Sequence, residues 1–521
     1  MARFFNTAGP CDPRDHFMLA PEARLPDLRT LVAQKAYFVV HAPRQSGKTT
    51  TLRHMAAALL KEGSYAALLV SCEAARTAED IERGIPAVIR AIDQEARLAL
   101  PADLQPEPPE TSEEIEAELR LKEYLRRWAE RSRLPVVLFL DEIDALLAGT
   151  LLSVLQQLRD GYASRPEHFP QSVALIGLRD VRDYKIPLSP GLDRLGTSSP
   201  FNIKVESLLL PNFTAAEVAT LYGQHVAETG QAFSAEASAR SWELTRGQPW
   251  LVNALARQLV ERLVPDRSVT IEIAQVEAAK EELIRRRDTH MDSLASQLRE
   301  PRVRRIIEPI LAGELLGADV SDDDLDFAED LGLVIRGPAG LEIANPIYRE
   351  VIPRALTAVT ESSIPQPPRV YVDAEGRLRF EKLMADFAAF WREHAGALLR
   401  LQAYPEVAAQ LVFMAFLQRL VNGGGFIERE YAVGSGRIDL NIRWPLPGGE
   451  IERFALELKV WREGRPDPQQ KGLEQLSRYL DQLSLETGTL VIFDLHKAAA
   501  IAAPKRSEAT HLGRNLTIWR F

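Results

Sequence analysis

The stretch His41–Thr50 reads "HAPRQSGKTT" and directly follows the apolar run "YFVV" at 37–40. It fits the phosphate-binding loop pattern G-x-x-x-x-G-K-[ST], apart from Ala42, which stands where the pattern has its first glycine. The departure is minor because alanine is also small. In such a loop, backbone N–H groups and the N-terminus of the next helix face the phosphates of a nucleotide. The stretch therefore predicts a strand, a phosphate-binding loop and a helix, in that order.

Several side chains of this region have an expected task at a bound nucleotide. Gly47 permits the close approach of phosphate, Lys48 reaches the β- and γ-phosphates of ATP, and the Thr49 hydroxyl ligates Mg²⁺. A second apolar run, "VVLFLDEID", ends in Asp141, expected in the Mg²⁺ shell, and Glu142, expected to orient the attacking water. The rest of the expected loop set is Ala42, Pro43, Arg44, Gln45, Ser46 and Thr50. The alternative is a surface loop and an unrelated acidic strand end.

Short apolar runs alternate with helical patterns in the first part of the chain. The runs lie at 37–41, 65–71, 135–140, 172–178 and 204–210. Nearly continuous apolar strands separated by helices indicate a parallel sheet covered on both faces, so the predicted fold class is α/β. Thr214 and Glu217 then form a capping box that opens a helical region reaching about residue 298, which suits a small helical lid.

The composition limits the class of protein. At 521 residues the chain is too long for one core and suggests about three or four domains. Its formal net charge of -10 argues against general binding to nucleic acid, so any DNA contact must come from a local basic patch. Only two cysteines occur, which favours a reducing, cytoplasmic setting. No signal peptide and no apolar run of membrane-spanning length is present, so no membrane partner is expected.

The second half of the chain has its own order of elements. A helix ending near Gly332 and two strand-like runs around "GPAG" predict a helix and a hairpin, which suggests a winged helix. The proline-rich segment 361–369 predicts a linker. Beyond it we expect helices, strands at about 426–433, 437–443 and 453–460, a helix at about 469–484 and a strand at 489–495.

Charged residues interrupt two apolar runs of this second half. Asp439 lies in "RIDLNI", and Glu457 and Lys459 lie in "FALELKV". Side chains at i and i+2 share a strand face, so Glu457 and Lys459 project together, and Asp439 can join them from the neighbouring strand of a hairpin. This arrangement suits a divalent metal ion with a cation beside it. The alternative is a salt bridge at a sheet edge, but the apolar flanks argue against it because burying those charges is costly.

The first set of motifs resembles the AAA-like branch of P-loop ATPases, close to the origin-recognition and STAND (signal-transducing ATPase) groups, over residues 1–357. The resemblance implies that Arg179, at the end of "ALIGLRD", senses the γ-phosphate, and that Gly247 and Pro249 of "TRGQPW" approach the nucleotide. It also implies ATP as cofactor and a homo-oligomer in which a neighbour supplies an arginine. Arg182 is open between a second sensor and an ion pair, and Arg246 between a sensor and an exposed side chain.

The second set resembles the PD-(D/E)XK nuclease superfamily over residues 376–521. The resemblance implies that Asp439 and Glu457 bind Mg²⁺, with Mn²⁺ as a substitute, and that Lys459 positions or deprotonates the attacking water. It implies a supporting role for Gln475, which shares a helical face with Tyr479. Two further acids are open between an added metal ligand and a solvated position: Glu406 and Glu430.

Together the resemblances imply an ATP-regulated, metal-dependent DNA endonuclease, of the kind that suits prokaryotic defence against foreign DNA. DNA and a protein or nucleic-acid trigger are the expected partners. The alternatives are a STAND-like signalling switch and a DNA-remodelling ATPase whose C-terminal domain binds but does not cut. Arginines at 284–288 and 300–309 either contact DNA phosphates or form a solvated helix face. The predicted domains are an ATPase core (1–212), a helical lid (213–298), a winged helix (299–357), a linker (358–375) and a nuclease-like domain (376–521).

Overall fold

The computed structural model divides the chain into two compact units. One comprises Met1–Arg285 with Asp330–Gly332, and the other comprises Arg286–Glu329 with Leu333–Phe521. The structure describes residues 3–109, 115–180, 203–286, 294, 296–312, 316, 320–337, 340–352, 371–400, 409–410, 412–414, 416–417, 426–432, 437–461, 464–496 and 504–521.

The first unit is built on a five-stranded parallel sheet in the order β2-β3-β4-β1-β5. Its strands are β1 (Tyr37–His41), β2 (Ala66–Ser71), β3 (Val136–Asp141), β4 (Ser172–Gly177) and β5 (Lys204–Leu209). All residues of β3 and β4 are buried, as expected for strands covered on both faces. The predicted α/β class and parallel sheet are therefore confirmed.

Helices cover both faces of this sheet. They are α1 (Pro21–Arg24), α2 (Leu28–Ala33), α3 (Lys48–Lys61), α4 (Ile81–Ala99), α5 (Ala117–Arg131) and α6 (Ala148–Gly161), with single 3₁₀ turns at Cys72–Ala75, Ala102–Leu104, Ile143–Ala145 and Tyr162–Ser164. Alternate residues of β1 enter different cores, because neighbouring side chains of a strand point to opposite faces. Tyr37 and Val39 pack in the core that contains Trp128, whereas Phe38 and Val40 pack in the core that contains Met55.

A group of helices completes the first unit: α7 (Ala215–Thr229), α8 (Ala235–Thr245), α9 (Pro249–Gln258), which continues into a π-helical turn at Leu259–Leu263, and α10 (Ile273–Arg286). The predicted capping box is present at the start of α7, where the Thr214 and Glu217 side chains each bond the other's backbone N–H. Gly247 lies between α8 and α9 with φ +71°, and a Cβ at this position would lie 1.8 Å from Phe213 O. Only glycine fits there.

The second unit contains α11 (Pro301–Ala312) and α12 (Asp322–Asp330), whose last residue belongs to the first unit. The antiparallel hairpin of β6 (Val334–Gly337) and β7 (Gly340–Ile343) follows. The helix and the hairpin lie where we predict them, and their assignment to a winged helix stays a prediction. Residues 353–370, which contain most of the predicted linker, lie outside the described residues. Tyr371 already packs in the core of the sheet that follows.

The rest of the second unit is a mixed six-stranded sheet in the order β12-β13-β11-β10-β9-β8. The strands are β8 (Phe426–Ala432), β9 (Arg437–Pro445), β10 (Ile451–Trp461), β11 (Gly488–Asp494), β12 (Lys505–His511) and β13 (Arg514–Arg520), and the helices are α13 (Phe380–Arg400) and α14 (Gln469–Leu483). One face packs on α13 and the other on α14. Strands β12 and β13 are not predicted from the sequence. Strand β10 is an interior strand, paired with β9 and β11.

Candidate functional site

The phosphate-binding loop joins the C-terminal end of β1 to the first turn of α3. Gly47 precedes this helix with φ +90°, a conformation that glycine adopts without steric cost. Lys48, the first residue of the helix, folds back over the loop, and its Nζ donates to Ala42 O (2.6 Å) and Pro43 O (2.9 Å). The ammonium group therefore lies among the loop's carbonyl oxygens, where a phosphate can take their place as its partner.

The predicted acidic pair at the end of β3 meets this loop. Thr49 Oγ1 donates to Asp141 Oδ2 at 2.6 Å, so both expected Mg²⁺ ligands lie together. Glu142 takes a left-handed conformation (φ +57°), and its Oε2 accepts a hydrogen bond from Ser71 Oγ at the end of β2. Because Ser71 and Asp141 are partners in the parallel register, β2 and β3 deliver these groups to the same sheet edge.

A cavity of about 510 Å³ lies over these groups. From the predicted set it is lined by Arg44, Gln45, Gly47, Lys48, Thr49, Thr50, Asp141, Glu142 and Pro249. Ala42, Pro43, Ser46, Arg179 and Gly247 are not among its described lining residues. Ala42 and Ser46 are buried, Pro43 and Ala42 supply the carbonyls that Lys48 contacts, and Gly247 packs against Phe213.

Several lining residues were not found by the sequence analysis. They are Asn6–Cys11, Glu73, Arg76, Asp144, Ala145, Gly177, Leu178, Trp250 and Asn253. We call Asn6–Cys11 the N-terminal strap. Trp250 Nε1 of α9 donates to Thr7 O (2.9 Å), and Cys11 N donates to Thr50 Oγ1 (3.0 Å), so the strap is fastened both to the helical region and to α3. No motif or periodicity marks the strap, whereas Asp144 could have been found from its position in "LDEID".

Burial changes the acid–base properties of the site. Burial lowers the pKa of the Lys48 ammonium to about 8, and the nearby Asp141 carboxylate opposes the change. Burial also raises the pKa of Asp141 above its usual range, against the hydrogen bond from Thr49. Both shifts reflect the cost of holding a charge away from water, and a cation beside Asp141 or an anion beside Lys48 would relieve that cost.

The predicted sensor arginines do not line the described part of the cavity. Arg179 follows β4, is buried, and its Nε donates to Asp330 Oδ2 at 2.9 Å. Arg246 is exposed and stacks over Trp242, with 5.5 Å between the guanidinium carbon and the ring centre. The exposed alternative therefore fits Arg246. Arg182 lies outside the described residues.

The second predicted site is organised by the register of β8, β9 and β10. Position 457 is opposite position 439, and position 439 is opposite position 430, so Glu430, Asp439 and Glu457 form one row across three strands. Directly opposite residues of an antiparallel pair share a face of the sheet. The side chains of Glu430 and Asp439 are outside the described part of the structure, as is Glu406.

Glu457 and Lys459, which we call the C-terminal polar cluster, are 0% and 7% exposed, and Gln475 of α14 is 4% exposed. Lys459 Nζ donates to Glu457 Oε1 within β10. Two buried oxygens, Glu457 Oε2 and Gln475 Oε1, have no hydrogen-bond partner among the described residues. Their neighbours Ala455 of β10 and Leu476 of α14 belong to the apolar core on the α14 face. A buried charge with an unsatisfied oxygen is costly, so this cluster calls for a functional explanation.

The described side chains of the two sites offer few ligands to a metal ion. Among the described side chains, no three His, Cys, Asp or Glu residues are grouped closely enough to hold a metal ion. The oxygens that fit Mg²⁺ are those of Thr49 and Asp141 in the nucleotide cavity, and the unpartnered Glu457 oxygen in the C-terminal polar cluster. The second of these would need Asp439 to complete its ligand set.

The arginines at 300–309 are largely taken up by carboxylates of the same unit. Arg304 donates to Glu308 of its own helix, and Arg305 approaches Asp324 at 3.3 Å. Arg302 lies 3.5 Å from Asp324 and stacks over Phe327. Because neutralised arginines attract phosphate weakly, these contacts weaken the suggestion that this helix is a DNA-binding patch.

Residues 32–184 match a family model described as an AAA domain. Similar solved structures include the Walker-type ATPase of Pyrococcus abyssi, with 15% identity and a TM-score of 0.48, covering 67% of this chain and 99% of that chain. The RuvB Holliday junction branch migration motor of Thermotoga maritima has 14% identity and a TM-score of 0.34, covering 64% and 93%. Cdc6p from Pyrobaculum aerophilum has 13% identity and a TM-score of 0.35, covering 65% and 94%. The comparison with curated proteins found no match.

At such low identities and TM-scores we draw nothing further from the solved structures. Of the helices that the structure describes, none combines the length and the apolar character needed to cross a membrane. The family match covers strands β1 to β4 of the parallel sheet, the phosphate-binding loop and the acidic strand end. Residues 32–184 therefore form an AAA-type P-loop ATPase domain.

Proposed function

We propose that this protein binds and hydrolyses ATP in the first unit and uses it to control a metal-dependent DNA endonuclease in the second. The ATPase half is supported by the convergence of Lys48, Thr49, Asp141 and Glu142 on one cavity. Lys48 holds phosphate, and Glu142 orients the attacking water while Ser71 fixes its carboxylate. Mg²⁺, held by Thr49 and Asp141, would supply neutralisation of the phosphate charge.

The observation that carries the endonuclease half is the fully buried Glu457 beside Lys459 on an interior strand, where Glu457 Oε2 has no partner among the described side chains. A salt bridge at a sheet edge would be solvated and would need no further partner. Here the register puts Asp439 opposite Glu457, so two carboxylates and an amine belong to neighbouring positions. Such a set suits a metal ion and a cation at a phosphodiester.

In this proposal each residue of the chain has one task. Glu457 and Asp439 would hold Mg²⁺ or Mn²⁺, which supplies a polarised phosphate and an activated water when bound. The Lys459 ammonium orients that water and offsets the negative charge that develops on the phosphate. Gln475, whose buried Oε1 has no hydrogen-bond partner among the described residues, would support this site with an uncharged oxygen.

The test is cleavage of supercoiled plasmid in Mg²⁺ or Mn²⁺, with and without ATP. Asp439→Ala, Glu457→Ala and Lys459→Ala are expected to abolish nicking. Calorimetric titration with Mn²⁺ should separate them: metal binding weakens in the two acid variants, because each loses a ligand, but not in Lys459→Ala. Wild-type cleavage by all three variants would reject the endonuclease.

A second candidate is favoured by one observation, the direct contact between Lys459 and Glu457. An ion pair of this kind, without a described group of three metal ligands, also fits a domain that binds DNA but does not cut it. The protein would then be a signalling switch or a DNA-remodelling ATPase. Tight plasmid binding with no nicking in either metal would select this candidate.

Two parts of the proposal concern partners. Homo-oligomer formation on ATP binding would bring an arginine from a neighbouring copy to the γ-phosphate, and light scattering with and without ATP tests it. A role in defence against foreign DNA, started by a protein or nucleic-acid trigger, fits an ATP-controlled nuclease. Loss of protection against phage in cells that carry Glu457→Gln would support that role.

A further inference from the structure

Arg24, at the end of α1, is a buried cation that directly contacts the phosphate-binding loop. The residue is 8% exposed. Its Nη1 donates to Ser46 O at 3.1 Å, and its Nη2 donates to Pro211 O at 2.6 Å. The guanidinium carbon lies 4.7 Å from the centre of the Phe213 ring. Among the described residues no carboxylate lies within ion-pair distance of it. Its partners are thus two carbonyl groups and an aromatic face.

This environment is costly for a charge. Burial lowers the pKa of the Arg24 guanidinium to about 10, which reflects the loss of hydration that two carbonyl groups only partly replace. A neutral side chain would avoid this cost. A buried arginine is normally kept where its planar set of donors must join fixed acceptors.

The two acceptors belong to two functional parts of the first unit. Ser46 immediately precedes Gly47, and Arg24 Nη1 lies only 2.9 Å from where a Cβ on Gly47 would be. Pro211 lies two residues before Phe213, whose N donates to Gly247 O at 2.8 Å. One guanidinium therefore joins the loop that faces phosphate to the segment that holds the glycine between α8 and α9.

We propose that Arg24 is a positioning residue for the polyphosphate: it holds the Ser46–Gly47 backbone in the shape that presents N–H groups to phosphate, and couples that shape to Pro211–Phe213. The inference rests on the proposed ATP binding and deepens it. Because the loop contacts phosphates and not the base, loss of Arg24 weakens ATP much more than AMP. Its positive charge beneath the loop acts in the same direction.

The experiment compares the dissociation constants of ATP and AMP, by calorimetric titration of the full chain at low temperature, with circular dichroism as a check of folding. Arg24→Met is expected to raise the Kd for ATP about tenfold or more, the size of a charge-assisted hydrogen bond, and the Kd for AMP less than about threefold. Arg24→Lys, which can reach one carbonyl but not both, is expected to raise the Kd for ATP about threefold. The matched control is Arg29→Met, because Arg29 is a half-exposed arginine of α2 paired with Glu62, and its loss should change neither Kd.

The outcomes are separable. A larger rise in the Kd for ATP than in the Kd for AMP, in a folded Arg24→Met protein, supports the inference. An unchanged Kd for ATP, or equal losses for ATP and AMP, overturns it and reduces Arg24 to a stabilising residue. If Arg24→Met does not fold, the ATP-to-AMP ratio of Arg24→Lys decides in the same way. Failure of the wild type to bind ATP would instead reject the proposed ATPase itself.

Discussion

The nucleotide cavity and the C-terminal polar cluster hold their charges in opposite ways. In the cavity, each reactive group has a local partner that a ligand can replace: Lys48 contacts loop carbonyls, Thr49 contacts Asp141, and Ser71 contacts Glu142. In the cluster, Glu457 and Lys459 are paired inside an apolar core, and one Glu457 oxygen has no partner within the described part of the chain. The first site is preorganised for exchange with a ligand, whereas the second holds a buried charge at a cost to stability.

This difference determines what a substitution does at each site. Removing a charged group from the cavity removes an interaction with ATP and leaves neutral carbonyl or hydroxyl partners behind. Removing one partner from the buried cluster leaves the other charge unpaired, so stability and activity change together. Variants at the second site therefore need a control for folding, whereas variants at the first site report function more directly.

The largest expected effect sharpens the comparison at the cavity. Glu142→Gln should lower ATP hydrolysis by about 10²–10⁴-fold, because water is no longer oriented by a carboxylate, while ATP binding is retained. Steady-state phosphate release and a titration with ATP measure the two quantities. Glu73→Gln is the matched control, since Glu73 lines the same cavity and pairs with the half-exposed Arg76. Equal hydrolysis by wild type and Glu142→Gln would remove Glu142 from this role.

The next effect tests the claim that the cluster is costly. Lys459→Ala leaves Glu457 buried without its cation and should destabilise the surrounding sheet by about 3–5 kcal/mol. Replacing both residues, as Glu457→Leu with Lys459→Leu, should recover part of that loss, because the Glu457 carboxylate is no longer buried without its cation. Hydrogen exchange of the amides in β10 and β11 measures the stability of this part of the sheet in the intact chain. A double variant no more stable than Lys459→Ala would show that the pair stabilises the fold and would break the comparison.

The smallest effect is a pH dependence confined to the cavity. Because burial lowers the pKa of Lys48 to about 8, the free protein loses this proton as the pH rises through 8, and ATP binding then requires proton uptake. The Kd for ATP should be flat below that pH and rise by up to about tenfold per pH unit above it. Titrations between pH 6.5 and 9.5 in buffers with different ionisation enthalpies would detect the coupled proton. A flat profile would mean that Lys48 stays charged throughout.

The sequence predicts the two sites to different depths for a physical reason. The phosphate-binding loop is contiguous and its neighbours lie at ends of buried parallel strands, so local pattern is enough for Lys48, Thr49 and Asp141. The N-terminal strap and Arg24 reach the loop through long-range contacts that no local period encodes. At the second site, the two acids follow from hairpin register, whereas Gln475 depends on how α14 packs.

Two elements of the fold also have features that the local sequence pattern does not reveal. Strand β12 reads "KRSEATH", which lacks the apolar alternation by which a strand is recognised. Among the described strands its one partner is β13, so it lies at the edge of the sheet. The arginines of α11 read as a basic patch, but their carboxylate partners come partly from α12, which sequence spacing does not reveal. In both cases the deciding interaction is tertiary.

The central claim is that one chain carries two separable chemistries, and a crossed assay of Glu142→Gln and Glu457→Gln tests it most directly. Both variants are assayed for ATP turnover and for plasmid nicking in the presence of Mg²⁺, after circular dichroism and thermal melting confirm folding. Glu457→Gln is expected to hydrolyse ATP like the wild type but not to nick DNA. Glu142→Gln should bind ATP without turnover. The ratio of its nicking activity with ATP to that without ATP should differ from the wild-type ratio. Plasmid nicking by Glu457→Gln at the wild-type rate would contradict the account and leave the second unit as a domain that does not cut.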